Sequence, residues 1–529
     1  MLGTSTPEYV FICTCIIFLH SIAPFSILYV VLRQASPLLP LPFQVVHLPY
    51  YFEVWLWCEA IFYALIYLPY RAYLERDAVH PELLPQAERT ELFARCNAHV
   101  DDPERYISQW MLGAKKEDIR RENVKEFLRW AFFNAGKAEE KYEEEVEGYV
   151  QAIERLSGRE LPPGKGKARS LRLTLDRVGC LHRSLLWYMC LAVVDTAAHC
   201  ILSYHGFRFY RASFAKFFTL FPFRPLTLLS PFKSPSEKLT YWHRPHSSRT
   251  RLPVLFLHGI GVGLFHYTAF LRELDLKGKG SEEDSGDVGI IALEIMPVSS
   301  RITYPALEKD VMVREVVTIV KKHGWSKFIL VGHSYGTIIS THLLKSPLSS
   351  PLIGPVVLVD PISFLLHLPD VAYNFTARQP SHANEYLLWY FGSKDIGVAH
   401  TLARRFFWTE NIMWKEDLGL EGDDGRKVTV AFSGRDIVID ANNVGRYLTA
   451  ESPRGQRNGT KALETAHGDE QTRRGELVST KGDEWKRRPW VGSGLEVLWF
   501  DYIGHGELFE HEETRGPVIE AIVAYSAAG

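Results

Sequence analysis

Residues Lys327–Thr337 read KFILVGHSYGT. They contain Gly-x-Ser-x-Gly, which marks a nucleophilic serine on a tight turn when a strand precedes it and a helix follows. With Gly and Ser each about 7% of residues, the bare pattern turns up by chance in roughly one chain in five of this length. The reading therefore rests on the surroundings.

From about Lys238 onward, short apolar runs alternate with helical segments, as in a parallel sheet wrapped by helices. Residues 253–258 (PVLFLH), 289–295 (GIIALEI), 327–331, 355–360 (PVVLVD), 428–432 (VTVAF) and 495–500 (LEVLWF) read as buried strands. Residues 307–323 and 337–344 read as helices, so Ser334 falls where a strand becomes a helix. Gly332 and Gly336 keep side chains out of that turn, and His333 reads as packing.

A serine hydroxyl is a weak nucleophile without a base, so partners are required. The order expected for this geometry is Ser, then acid, then His, each on a loop after a strand. Asp436 follows VTVAF and His505 follows LEVLWF, which selects Ser334, His505 and Asp436 as the catalytic candidates. Asp360, at the end of PVVLVD, is the alternative acid, with Asp440 more remote. His258 reads as a structural loop histidine, and His511 lies far past its strand. The loop LHGIGVG, residues 257–263, is placed to supply a backbone N–H to an oxyanion. Ile260 is the first donor expected there, with Gly261 as the alternative, and Tyr335 is the second.

At these residues the chain resembles the α/β-hydrolase fold, AB hydrolase-1 type, from about Leu239 to Tyr525. The resemblance implies α/β architecture: a mostly parallel eight-stranded sheet with helices on both faces and an inserted helical cap. More closely, VLFLHGIGVG, LEIMPVSSRIT, VGHSYGT, VLVDPISFLLHLPDVAYNF, LWYFGSKDIGVAHTLARRFFW and LEVLWFDYIGHGELF are similar to a group of fungal membrane-associated α/β hydrolases. That group has N-terminal hydrophobic segments and no assigned substrate. The match extends forward to ISQWMLGAKKEDIRRENVKEFLRWAFF.

At 529 residues the chain suggests about two or three structural units. Its 46% apolar and 23% charged content is that of globular protein, and a formal charge of −2 gives no basic field for nucleic acid. No zinc-type spacing or phosphate loop is present, so neither metal nor cofactor is expected. Seven cysteines, all within the first 200 residues, read as buried free thiols, not as a disulfide framework.

Residues 9–32 carry no Asp, Glu, Lys or Arg and are long enough to cross a bilayer. A second run, 54–70, carries Glu59 and ends at Arg71. The two form a membrane-anchor region, 1–74. Arg71 and Arg76 place the catalytic domain on the cytosolic side, with endoplasmic reticulum or lipid droplet as candidate membranes. Residues 75–237 read as a helical region with a linker at 161–170. Within it, Leu185–Tyr204 contains Asp195 and His199 and reads as a packed or membrane-surface helix. Residues 238–529 form the hydrolase domain, with a cap at 362–420 and a disordered insertion at 451–494. The cap is rich in large apolar residues, which implies an apolar acyl or lipid-like substrate. The sequence therefore points to a membrane-associated serine hydrolase of carboxylic esters. An acyltransferase using the same residues, or a non-catalytic membrane scaffold retaining the fold, are the alternatives. Oligomeric state is not encoded in any of these features.

Overall fold

The computed structural model describes residues 3–38, 46–274, 286–421, 425–450 and 482–527. Eight strands build one sheet: β1 (Arg208–Tyr210), β2 (Thr240–Arg244), β3 (Val254–Leu257), β4 (Ile290–Glu294), β5 (Phe328–His333), β6 (Ile353–Val359), β7 (Val428–Ser433) and β8 (Leu495–Phe500). Their order is β1-β2-β4-β3-β5-β6-β7-β8. β2 runs antiparallel to both neighbours, and all pairs from β4 to β8 are parallel. β3, β4, β5 and β7 are buried along their whole length, because helices cover both faces. Alternate side chains feed two cores, Leu255 and Leu257 on one face and Val254 and Phe256 on the other. This is the α/β-hydrolase fold, with a helical cap between β6 and β7.

Two of the strands escaped the sequence reading. β1 spans three residues, too few for a periodic signal, and β2 (TYWHR) sets two adjacent aromatics among polar residues, with no apolar run. Because β1 pairs with β2, the sheet begins at Arg208, and the boundary at 238 cuts through it.

The chain opens with α1 (Thr6–Ala35), whose first turn is closed by a reciprocal capping box between Ser5 and Glu8. α2 (Tyr50–Phe62) widens into a π-turn over Tyr63–Tyr67 and continues as α3 (Leu68–Leu74). Pro69 lacks an N–H and crowds the Leu65 carbonyl, and the widened turn accommodates it. Tyr29 Oη and Arg33 Nε near the end of α1 both reach Glu53 at the start of α2, each at 3.3 Å, so the two helices form an antiparallel hairpin. Both free ends of this hairpin meet the α/β domain. Asn384 N–H donates to the Gly3 carbonyl, Tyr9 packs on Tyr386, and Tyr70 Oη donates to the Thr303 carbonyl at 2.8 Å.

α4 (Gln86–Asn97), α5 (Pro103–Trp110), α6 (Arg121–Phe133) and α7 (Glu140–Ser157) follow. α7 buries Val146, Tyr149, Val150 and Ile153 against α6, as its spacing dictates. The expected linker at 161–170 is instead a strap fixed to α6. The buried Asn123 amide donates to the Ala168 carbonyl at 2.8 Å and stands in for a backbone partner. These helices seat on the cap: Trp408 Nε1 donates to the Ala131 carbonyl and Trp110 Nε1 to the His367 carbonyl.

α8 (Leu185–Tyr204) has Ser184 as its N-cap, and the Glu59 carboxylate of α2 accepts from the amides of Leu185 and Leu186 at 2.7 and 2.9 Å. Among the described residues, three helical stretches are long and apolar enough to cross a membrane, Thr6–Ala35, Tyr50–Leu74 and Leu185–Tyr204. All seven cysteines are free, as read, but only Cys96 and Cys180 are buried. Cys58, Cys190 and Cys200 lie exposed on the apolar helices, where hydrophobic residues turn outward.

The expected insertion at 451–494 falls outside the described residues as far as 481. Residues beyond it are not disordered: Trp485 is buried edge-on to Trp499 and ties this stretch to β8.

Candidate active site

Ser334 sits between β5 and the helix Gly336–Lys345 with φ +49°, in the left-handed region. The turn is tight. A Cβ on Gly336 would lie 2.2 Å from the Leu257 carbonyl oxygen, and one on Gly332 would lie 2.4 Å from Ser340 Oγ. Ser334 Oγ lies 2.7 Å from His505 Nε2, on the loop after β8. His505 Nδ1 lies 2.6 Å from Asp436 Oδ2, on the loop after β7. The other Asp436 oxygen accepts from the amides of Val438 and Ile439 at 2.7 and 3.0 Å, which fixes the carboxylate's orientation. Burial alone would depress His505, but the adjacent Asp436 carboxylate outweighs it and raises the imidazole above its ordinary range.

Asp360 has a different set of partners. One oxygen accepts from Ser433 N–H at 2.8 Å, and the other accepts from Ser433 Oγ and Gly506 N–H at 2.9 Å each. It therefore ties together the loops carrying Asp436 and His505 without bonding the imidazole. Burial, with the Asp436 charge acting in the same direction, pushes its carboxyl up to about 6. Asp360, Asp436 and His505 converge closely enough to suggest a chelate. Their oxygens already accept from protein donors, so the arrangement is a hydrogen-bond network. Asp440 caps the helix Ala441–Thr449, and His511 is exposed.

On the opposite side of Ser334, the Gly261 amide donates to the Val298 carbonyl at 3.1 Å. The amides of Ile260 and Tyr335 have no protein acceptor among the described residues. Of the two candidates in this loop, Ile260 is thus the one with a free N–H. His258 Nε2 accepts from Ile295 N–H at 2.9 Å, so Nδ1 donates to the Gly259 carbonyl at 2.7 Å. Burial holds it neutral, down to about 4, as a staple between β3 and β4. His333 is buried with Nδ1 2.7 Å from Tyr267 Oη, away from the serine hydroxyl.

Ser334 and His505 open onto a narrow cavity of about 40 Å³ lined mainly by apolar side chains. The cap supplies Leu366, Phe375, Leu402 and Phe406. The helical region before the sheet supplies Trp110, Trp130 and Leu173, which sequence reasoning placed in no pocket. Helical spacing marks the two tryptophans as inward-facing but is silent on what lies opposite. Among the lining residues His505 is the only titratable one.

No family model matches the chain, and no curated protein matches its sequence. Among solved structures it is similar to a bacterial membrane phospholipase A, at 11% identity and TM-score 0.36, over 64% of this chain and 94% of that one. It is also similar to 2-hydroxy-6-oxo-6-phenylhexa-2,4-dienoate hydrolase from Rhodococcus sp. strain RHA1, at 12% identity and TM-score 0.32, over 54% and 95%. A third is naproxen esterase from Bacillus subtilis, at 11% identity and TM-score 0.32, over 55% and 89%.

Proposed function

We propose that the protein is a membrane-associated serine hydrolase that cleaves carboxylic esters of apolar, lipid-like acyl groups. The observation that carries this reading is the unbroken hydrogen-bond chain Ser334–His505–Asp436 opening onto a mainly apolar cavity. Ser334 Oγ attacks the ester carbonyl while His505 Nε2 takes its proton. Asp436 holds the imidazole in the required tautomer and stabilises its cation. The amides of Ile260 and Tyr335 receive the oxyanion. The C–O bond then breaks, His505 passes the proton to the departing alcohol, and an acyl-enzyme remains on Ser334. Water, deprotonated by His505, attacks the acyl carbonyl and releases the acid. No Lys or Arg lines the cavity among the described residues, which disfavours a carboxylate or phosphate deep in the pocket and favours a hydrocarbon chain. The hairpin of α1 and α2 supplies the membrane attachment.

The test is labelling of the full chain in liposomes with a fluorophosphonate probe, wild type beside Ser334→Ala. The wild type is expected to label and Ser334→Ala is not; an unlabelled wild type overturns the reading. A panel of esters of increasing acyl length, run with and without added alcohol, then distinguishes released acid from transferred acyl group.

A further inference from the structure

The segment Ile295–Tyr304, which follows β4, does not line the cavity at Ser334 and His505. It nevertheless holds the loop that carries the oxyanion donor. Both backbone polar groups of Gly261, the residue after Ile260, are bound by it. The amide donates to the Val298 carbonyl at 3.1 Å, and the carbonyl accepts from Ser300 Oγ at 2.9 Å. Ser300 makes that bond from φ +59°, a backbone region costly for a residue with a side chain.

Arg301 explains how this turn is kept. Its Nη1 donates to the Ser299 carbonyl at 2.6 Å, folding the guanidinium back over its own turn. The same Nη1 lies against Gly263, at the far end of the oxyanion loop, where a Cβ would stand only 3.3 Å away. Arg301 is 2% exposed, so its charge needs a partner. The partner is Asp195 of α8, which approaches through Nε–Oδ2 at 3.2 Å and through a closer Nη2–Oδ1 contact. Asp195 also faces Arg224 at 3.7 Å, and Arg224 forms a two-pronged pair with Glu294 at the end of β4. Two cations and two anions thus balance in a buried cluster that runs from α8 to the oxyanion loop.

α8 is otherwise apolar, and it turns Met189 and Val193 outward. A carboxylate in the middle of such a helix carries a desolvation cost, which Arg301 offsets only while α8 stays on the domain. The same segment meets other elements as well: Ile302 pairs with Phe221, and the Thr303 carbonyl accepts from Tyr70 Oη of α3.

We propose that Arg301, held by Asp195, is a positioning residue for the oxyanion loop, so that the seating of α8 sets how well the Ile260 amide meets the transition state. This rests on the serine-hydrolase reading. It also keeps α8 against the catalytic domain instead of crossing the bilayer.

The experiment compares wild type, Asp195→Asn, Asp195→Glu and Ser300→Gly as full chains in nanodiscs, measuring ester kcat and KM, probe-labelling rate and thermal midpoint. Displacing a transition-state donor by about 1 Å costs up to roughly 100-fold in rate. Asp195→Asn is expected to lower kcat about 10- to 100-fold with KM changed less than about 3-fold, and Asp195→Glu is expected to recover part of the loss. Ser300→Gly keeps the positive φ without strain and removes the side chain that carries the hydroxyl, so it tests the Gly261 bond without adding backbone strain. Its expected loss is about 3- to 10-fold, also in kcat. Wild-type kcat in Ser300→Gly, or in a folded Asp195→Asn of lowered thermal midpoint, overturns the proposal while leaving the hydrolase reading intact. A wild type that does not label overturns both.

Discussion

Ser334, His505 and Asp436 lie far apart in sequence, and the two short contacts between them determine how the site responds to pH. A base works only when neutral, and His505 is raised above its ordinary range by Asp436. kcat/KM should therefore fall as pH drops through an ionisation lying above the usual imidazole value, with activity kept on the alkaline side. Asp436→Asn should move that ionisation down and lower kcat by roughly 10³- to 10⁴-fold, measured as a pH–rate profile. Asp360→Asn should behave differently. An amide cannot accept from Ser433 and Gly506 at all three bonds, so stability should fall by about 1–3 kcal/mol in denaturant unfolding. The imidazole ionisation should move less than in Asp436→Asn. Asp360 also has a pH signature of its own. Its folded carboxyl keeps a proton between about 4 and about 6 that the unfolded chain has lost, so stability falls as pH rises across that window, and Asp360→Asn should flatten the slope.

Strands and their loops were the legible elements. β3 to β8 announce themselves as apolar runs, and Ser334, Asp436 and His505 each follow one of them. That is why the candidate residues could be selected from order alone. The cavity roof could not be placed that way. Trp110 and Trp130 sit on helices whose periodicity gives burial but no partner, and β1 is too short to carry a pattern at all. The strap at 161–170 has a linker's composition, yet a single buried side chain, Asn123, gives its backbone a partner. Leu173, half-buried in the roof, offers a test of the cavity's role. Leu173→Trp should fill the space above Ser334, raising KM for long-chain esters several-fold while short-chain esters keep wild-type kcat/KM. An unchanged chain-length profile would place the acyl group elsewhere.

For the whole molecule, the hairpin geometry has a topological consequence. Both of its free ends touch the catalytic domain, so a tag at residue 1 and one at residue 529 should share the same protease sensitivity in sealed vesicles. An epitope placed after Ser36 should be protected when they are cleaved. Removing residues 1–74 deletes Glu59, the cap on α8, but leaves Met189, Val193, Phe214, Phe218 and Leu229 facing outward. That shortened chain is expected to stay on membranes yet wash off in alkaline carbonate, which the full chain should resist. Cutting further, at residue 238, would fail for another reason. Without Arg208–Tyr210 the outer side of Tyr241–His243 loses its neighbour, and its backbone donors and acceptors become a template for other chains. A three-residue strand thus guards the sheet against self-association. A catalytic domain excised at the point where its sequence pattern begins should form intermolecular β-sheet, visible as light scattering and thioflavin binding, while a chain that keeps β1 should not.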